Sequence, residues 1–263
     1  FQIALTPSGS ALTGTLTAAI NNLTAAGGAE LIAASAFAGL SGASGGMIDG
    51  SGTNGASGDV VVGDNATITV DAGNLADADA SNVDGDAYAA AQVSETFGLE
   101  SIQMTVGDSG SLTVNADADA LATAVTVGDP TVTDLGSGAN ANADADATSV
   151  VGISDLGSGT GEFTFGNDAT VTARAGTSAD RVTVGADADT ETGDAIANAA
   201  STVVAGIQDT QNGSATAVNQ LTVGNNGTIT GTAFTDFDAT ADTTSGIADA
   251  DVNVASDGTA ATA

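Results

Sequence analysis

Residues 223–233 read Val-Gly-Asn-Asn-Gly-Thr-Ile-Thr-Gly-Thr-Ala, and the first eight positions have three earlier copies starting at Val62, Val106 and Phe165. The copies are Val62-Gly-Asp-Asn-Ala-Thr-Ile-Thr, Val106-Gly-Asp-Ser-Gly-Ser-Leu-Thr and Phe165-Gly-Asn-Asp-Ala-Thr-Val-Thr. Self-similarity of this kind marks a repeat architecture before any local reading is attempted. Each copy reads as a strand, a tight Gly-Asp or Gly-Asn turn, and a second strand in which Thr alternates with an aliphatic residue. Asn65 and Asn226 fall in that turn, where Asn is favoured on conformational grounds alone, although both also begin an Asn-x-Thr sequon.

Other landmarks lie between the copies. A Gly followed by Leu or Ile recurs at Gly98, Gly152, Gly206 and Gly246, and Val-Thr-Val-Gly occurs at 125–128 and 182–185. Around 116–120 and 141–147, Ala alternates with Asp or Asn, which on a strand separates a small apolar face from an acidic one. The landmarks fall about 20 residues apart, the size of one coil in a repeat-built β structure. The expectation is an all-β chain, a right-handed parallel β-solenoid or β-helix of ~20-residue coils.

Residues 1–50 have a different texture. Leu12, Leu16, Ala19, Ile20 and Leu23 recur at three- and four-residue spacing, which predicts an amphipathic helix, and Leu31, Ala34 and Phe37 predict a shorter one. Residues 1–50 are therefore expected to be a partly helical cap or attachment segment. Residues 51–263 are the repeat domain, joined to it by the Gly- and Ser-rich stretch 41–58. No terminal cap is evident after Val223, and the first residue is Phe1, so the array is expected to continue in a longer parent chain or a neighbouring subunit.

Composition excludes much chemistry. Among 263 residues, 33 are acidic and two are basic (Arg174 and Arg181), with no Lys, His or Cys, for a net charge of −31. Two Arg cannot neutralise a run of phosphates, so nucleic acid is not an expected partner. Anionic membrane surfaces would repel the chain, and no run of 18 apolar residues could span a bilayer. Without His or Cys, the Ser–His and Cys–His pairs and the usual zinc ligands are missing. Conventional enzyme chemistry is not expected. Gly50-Ser-Gly52-Thr-Asn-Gly55 fits a dinucleotide-loop spacing but lacks the strand before it and the helix after it. The charge imbalance does not imply disorder either, because 42% of the chain is hydrophobic and only Pro7 and Pro130 interrupt it.

Paired carboxylates are the remaining candidates. Asp117/Asp119, Asp144/Asp146 and Asp187/Asp189 are spaced so that both members share one strand face, about 7 Å apart. Stacked coils that brought such pairs together would offer oxygen ligands to Ca2+. The competing reading is a plain solvated acidic face, and no EF-hand or calcium β-roll consensus is present. Bulk salt would then govern stability, whereas specific sites would respond to millimolar calcium.

On the repeat at 223–233, its three copies and the Ala-Asp tracts, residues 58–263 resemble the Gly/Ala/Thr/Asp-rich repeat tracts of long extracellular proteins of marine bacteria, cyanobacteria among them. They resemble also the fibre proteins of the phages of those bacteria. The resemblance implies a structural fibre or filament, at a cell surface or on a virion, self-associating end to end or as a trimer. The alternative is an adhesin or receptor-binding module with a cell-surface or glycan partner. Adhesive faces use aromatics, and the repeats hold few.

Overall fold

The computed structural model describes residues 11–27, 31–38, 46–50, 60–83, 85–101, 103–127, 139–155, 162–179, 181–209 and 220–254. All regular elements among them are β-strands, and all strand pairs are parallel. The chain lays these strands down in five successive layers. The first holds β1 (Ala11–Gly27), β2 (Leu31–Ala38) and β3 (Gly46–Gly50). The second holds β4 (Val60–Val62), β5 (Thr67–Val83) and β6 (Asp86–Ser101), and the third β7 (Gln103–Val106), β8 (Ser111–Val127) and β9 (Ala141–Asp155). The fourth comprises β10 (Glu162–Phe165), β11 (Thr170–Ala175), β12 (Val182–Thr190) and β13 (Ala195–Asp209). The fifth comprises β14 (Gln220–Val223), β15 (Thr228–Ala233), β16 (Thr235–Thr243) and β17 (Ala248–Val254).

Equivalent strands pair across layers to give three sheets. The first sheet runs β1-β5-β8-β11-β15, with β12 and β16 continuing its fourth and fifth rows. The second runs from β2 and β3 through β6, β9 and β13 to β17, and the short third sheet is β4-β7-β10-β14.

Two expectations are overturned. The chain is all-β as expected but is not the right-handed solenoid or β-helix of ~20-residue coils: its parallel strands form three separate sheets, and equivalent turn positions are linked across 44, 59 and 58 residues. The shorter landmarks mark different places within one layer. The helical N-terminal segment is also wrong: 11–27 and 31–38 are strands, and β1 pairs with β5 from Ala11↔Thr67 to Gly27↔Asn82. Leu12, Leu16 and Ile20 are four apart, and four is a multiple of the strand period as well as near one helical turn, so their spacing fits either state. The register shifts between Ile20 and Leu23, so that Leu23 aligns with Ala78. An extra residue of this kind re-phases a strand without ending it.

The core follows from strand alternation. Along β8, buried and part-exposed residues alternate without a break from Ser111 to Thr126. Two clusters result. Between the first and second sheets lies a long seam made mostly of Ala, including Ala76, Ala120 and Ala143, all at 0% exposure. Beside the third sheet the core holds larger side chains, among them Leu99, Met104, Leu112, Ile153 and Phe165. Burial of a methylene contributes about 0.8 kcal/mol, so an Ala seam gains little per residue. Cohesion there depends on the backbone ladders that pair the inner layers above and below.

A column of glycines marks the boundary between the clusters. A Cβ on Gly152 would lie 2.6 Å from the Gly206 carbonyl oxygen and 2.7 Å from the Arg174 nitrogen. One on Gly206 would lie 2.3 Å from the Thr232 nitrogen. At Gly152 and Gly206 the second sheet thus closes onto the backbone of the first, whereas a Cβ on Gly98 would first meet the Val114 side chain, at 2.3 Å, and then the Gly152 carbonyl oxygen, at 2.8 Å. Gly246, which shares the sequence landmark, is a different case: it sits at φ 154° in the turn before β17. Gly152→Ala is expected to destabilise the fold by about 1–3 kcal/mol through overpacking against unyielding backbone. Gly185→Ala meets only the end of the Leu121 side chain, at 3.1 Å, and should cost less. Urea unfolding of the two variants would check the order.

Candidate functional site

The four copies of the repeated turn stack directly on one another. Gly107 N–H donates to the Val62 carbonyl at 2.8 Å, Gly166 to Val106 at 2.7 Å, and Gly224 to Phe165 at 2.7 Å. In the first three copies the residue after the turn glycine adds a side-chain rung to the next copy. Asp64 Oδ1 accepts from the Asp108 N–H at 2.8 Å, Asp108 Oδ1 from the Asn167 N–H at 2.7 Å, and Asn167 Oδ1 from the Asn225 N–H at 3.0 Å. The next position is left-handed in every copy: Asn65, Ser109, Asp168 and Asn226 have φ of 55°, 56°, 56° and 57°. Asn and Asp tolerate that region better than other residues with a Cβ.

A second ladder stands at the entry to the second sheet. Asp86 Oδ1 accepts from the Asn140 N–H at 2.8 Å, Asn140 Oδ1 from Asp194 at 3.0 Å, and Asp194 Oδ1 from Ile247 at 3.0 Å. Sequence reasoning missed it. The signal was an Asp or Asn followed by Ala at 86, 140 and 194, a shorter pattern than the repeated turn. Between the ladders, the corner joining the first two sheets is closed by buried hydroxyls. Thr126 donates to Thr190 Oγ1 at 2.5 Å, and Thr190 donates to the Ala139 carbonyl at 2.7 Å.

The three carboxylate pairs do not converge. Asp117 and Asp119 lie on β8 and Asp187 and Asp189 on β12, but the register sets Asp119 beside Thr183 and Asp187 beside Thr123. Asp144 and Asp146 belong to the second sheet, where Asp144 stands between Ala90 and Asn198 and Asp146 between Gln92 and Ala200. Among the described residues, no three acidic side chains gather as a metal-holding group. Several columns interpose a neutral residue between carboxylates, whereas Asp49 and Glu100, Asp64 and Asp108, Asp155 and Asp209, and Asp189 and Asp242 are direct neighbours across layers.

Crowding leaves an electrostatic signature. Partial burial, then the Asp189, Asp238 and Asp242 carboxylates, push Asp187 above the usual carboxylate range. Burial and then Asp79 do the same to Asp77. Asp146 is raised chiefly by burial and also by Asp144, against hydrogen bonds from Gln92 and Thr148 that lower it. An apolar void of about 70 Å³ lies among Met104, Ile153, Phe165 and Ile229, with no polar lining. That makes it a packing gap with nothing to orient a ligand. With His and Cys absent from the chain, the outer faces offer carboxylates and hydroxyls without a partnered base.

Comparison with protein-family models, curated proteins and solved structures finds no match to this chain.

Because Asp77, Asp146 and Asp187 are raised in the folded state, the native protein binds more protons than the unfolded chain between the unfolded and folded pKa values. Their contribution to stability is therefore greatest below the unfolded value of 3.8 and is lost as pH rises through the folded values. Asp187→Asn should raise the Tm at pH 7 and weaken its dependence on pH, as followed by circular dichroism. A Tm at pH 7 unchanged or lowered by the substitution would contradict the crowding.

Proposed function

We propose that this chain is a non-enzymatic structural element of an elongated extracellular or virion fibre. The observation that carries the reading is the repeated turn, stacked in four copies with a side-chain ladder along it. Such a stack supplies stiffness, because each inner layer is held by backbone hydrogen bonds on both sides. Its faces supply solubility, through carboxylates that mostly alternate with Thr, Ala, Asn and Gly along the columns.

The same features support resistance to digestion. Only two peptide bonds follow a basic residue, and Arg174 lies inside β11, paired with Asn115 and Thr232 on either side. Arg181 is exposed, just before β12. Native trypsin treatment is expected to cut after Arg181 and spare Arg174, as read by intact-mass spectrometry. Rapid cutting at both would argue against the stack.

The function itself is tested by immunogold electron microscopy of the cells or virions that encode the chain, using antibodies raised against it. Labelled filaments are expected. Label spread through the cell interior or the medium, with no filament, would overturn the assignment.

A further inference from the structure

The fifth layer lacks the cover that the inner layers have. Val223 is 38% exposed where its third-sheet neighbour Phe165 is 3% exposed, and Val252 is 44% exposed where Ala199 is 1% exposed. Phe237, Ala239 and Ala241 are only partly buried against the Ala seam. Asn225 repeats the Asx position of the turn ladder, yet among the described residues no following turn donates to it. At the other end of the stack, among the described residues, β1 and β2 each pair on one side alone.

The two ends match column by column. The column that is Asp86, Asn140 and Asp194 in the inner layers begins with Leu31 in the first layer and ends with Ile247 in the fifth. Ile247 is 65% exposed. The Asx rung is thus replaced by an aliphatic residue at both ends of this column. Charge follows the same logic. The fifth layer carries Asp236, Asp242, Asp249 and Asp251, and the first-layer residues in those columns are Ala19, Ala26, Ala33 and Ser35. Core columns also agree: Ile229 and Phe237 share theirs with Leu12 and Ile20.

Taking the chain as a structural element, we propose that the fifth layer of one copy receives the first layer of a second copy, head to tail and in the register of the internal layers. Ile247 then meets Leu31 of the second copy, the acidic columns meet neutral residues, and β15, β16 and β17 gain partners on the side where none is found among the described residues. A tail-to-tail contact would instead set two acidic fifth layers against each other, with strand directions that break the parallel register.

The absence of cysteine allows a direct test. Leu31 and Ile247 of one copy are four strand spacings apart, about 19 Å, beyond any disulfide. Across the proposed contact they are one spacing apart, about 4.8 Å, within disulfide range. Oxidation of the Leu31→Cys/Ile247→Cys double variant should give a reducible series of multimers on a non-reducing gel. A mixture of the two single variants should stop at the mixed dimer. In the cysteine-free chain, Ile247→Asp should cause loss of association in sedimentation velocity while circular dichroism is unchanged, whereas Val127→Asp, at an exposed position of the inner strand β8, should associate normally. A double variant that stays monomeric, or Ile247→Cys alone forming the dominant dimer, would overturn the head-to-tail contact. Either failure leaves the structural assignment to the immunogold result, which does not depend on this interface.

Discussion

Parallel, in-register pairing places the same position of every layer against its own equivalent, and most of this sequence answers that constraint. Stacking like on like suits Ala, Thr and Asn, whose methyl groups pack and whose hydroxyls and amides can relay hydrogen bonds. It is adverse for a carboxylate, because like charges one strand spacing apart repel. The columns show the resolution: Asp119 lies between Leu75 and Thr183, and Asp187 between Thr123 and Thr240. Such spacing separates part of the charge behind the net −31, although Asp49 and Glu100, Asp64 and Asp108, and Asp155 and Asp209 remain direct neighbours across layers. Around Asp187, partial burial and then the nearby Asp189, Asp238 and Asp242 charges push its carboxyl upward.

The same constraint shapes the interior. An Ala seam lets two sheets approach closely, and Gly98, Gly152 and Gly206 let them touch at the boundary with the wider core. Larger residues are concentrated in the space beside the third sheet, so a chain with 3% aromatics still builds a second, wider core cluster there. Few apolar atoms are buried per residue, so backbone and Asx ladders carry a larger share of the cohesion than in an ordinary globular domain. Among the described residues the first and fifth layers are paired on one side, and strands paired so open more readily than inner ones.

Much of the local structure was legible in the sequence. The turn copies at 62, 106, 165 and 223 are turns, and the Ala-Asp tracts are strands with Ala inward and the carboxylates outward. What could not be read was how much chain separates one layer from the next. Landmarks about 20 residues apart look like successive coils, but they belong to different sheets of a single layer, and only long-range pairing reveals this. The first layer was misread because Leu12, Leu16 and Ile20 satisfy two periods at once, and the bulge before Leu23 restores a helical spacing by accident. The carboxylate pairs were visible, but whether they meet depends on register, which no single strand contains.

The central claim is the layer-to-layer register, and scalar couplings across hydrogen bonds measure it directly. In isotope-labelled protein, the account predicts couplings from the Gly107 amide to the Val62 carbonyl, from Gly166 to Val106 and from Gly224 to Phe165. Couplings that instead joined residues about 20 positions apart, as short coils would require, would contradict it.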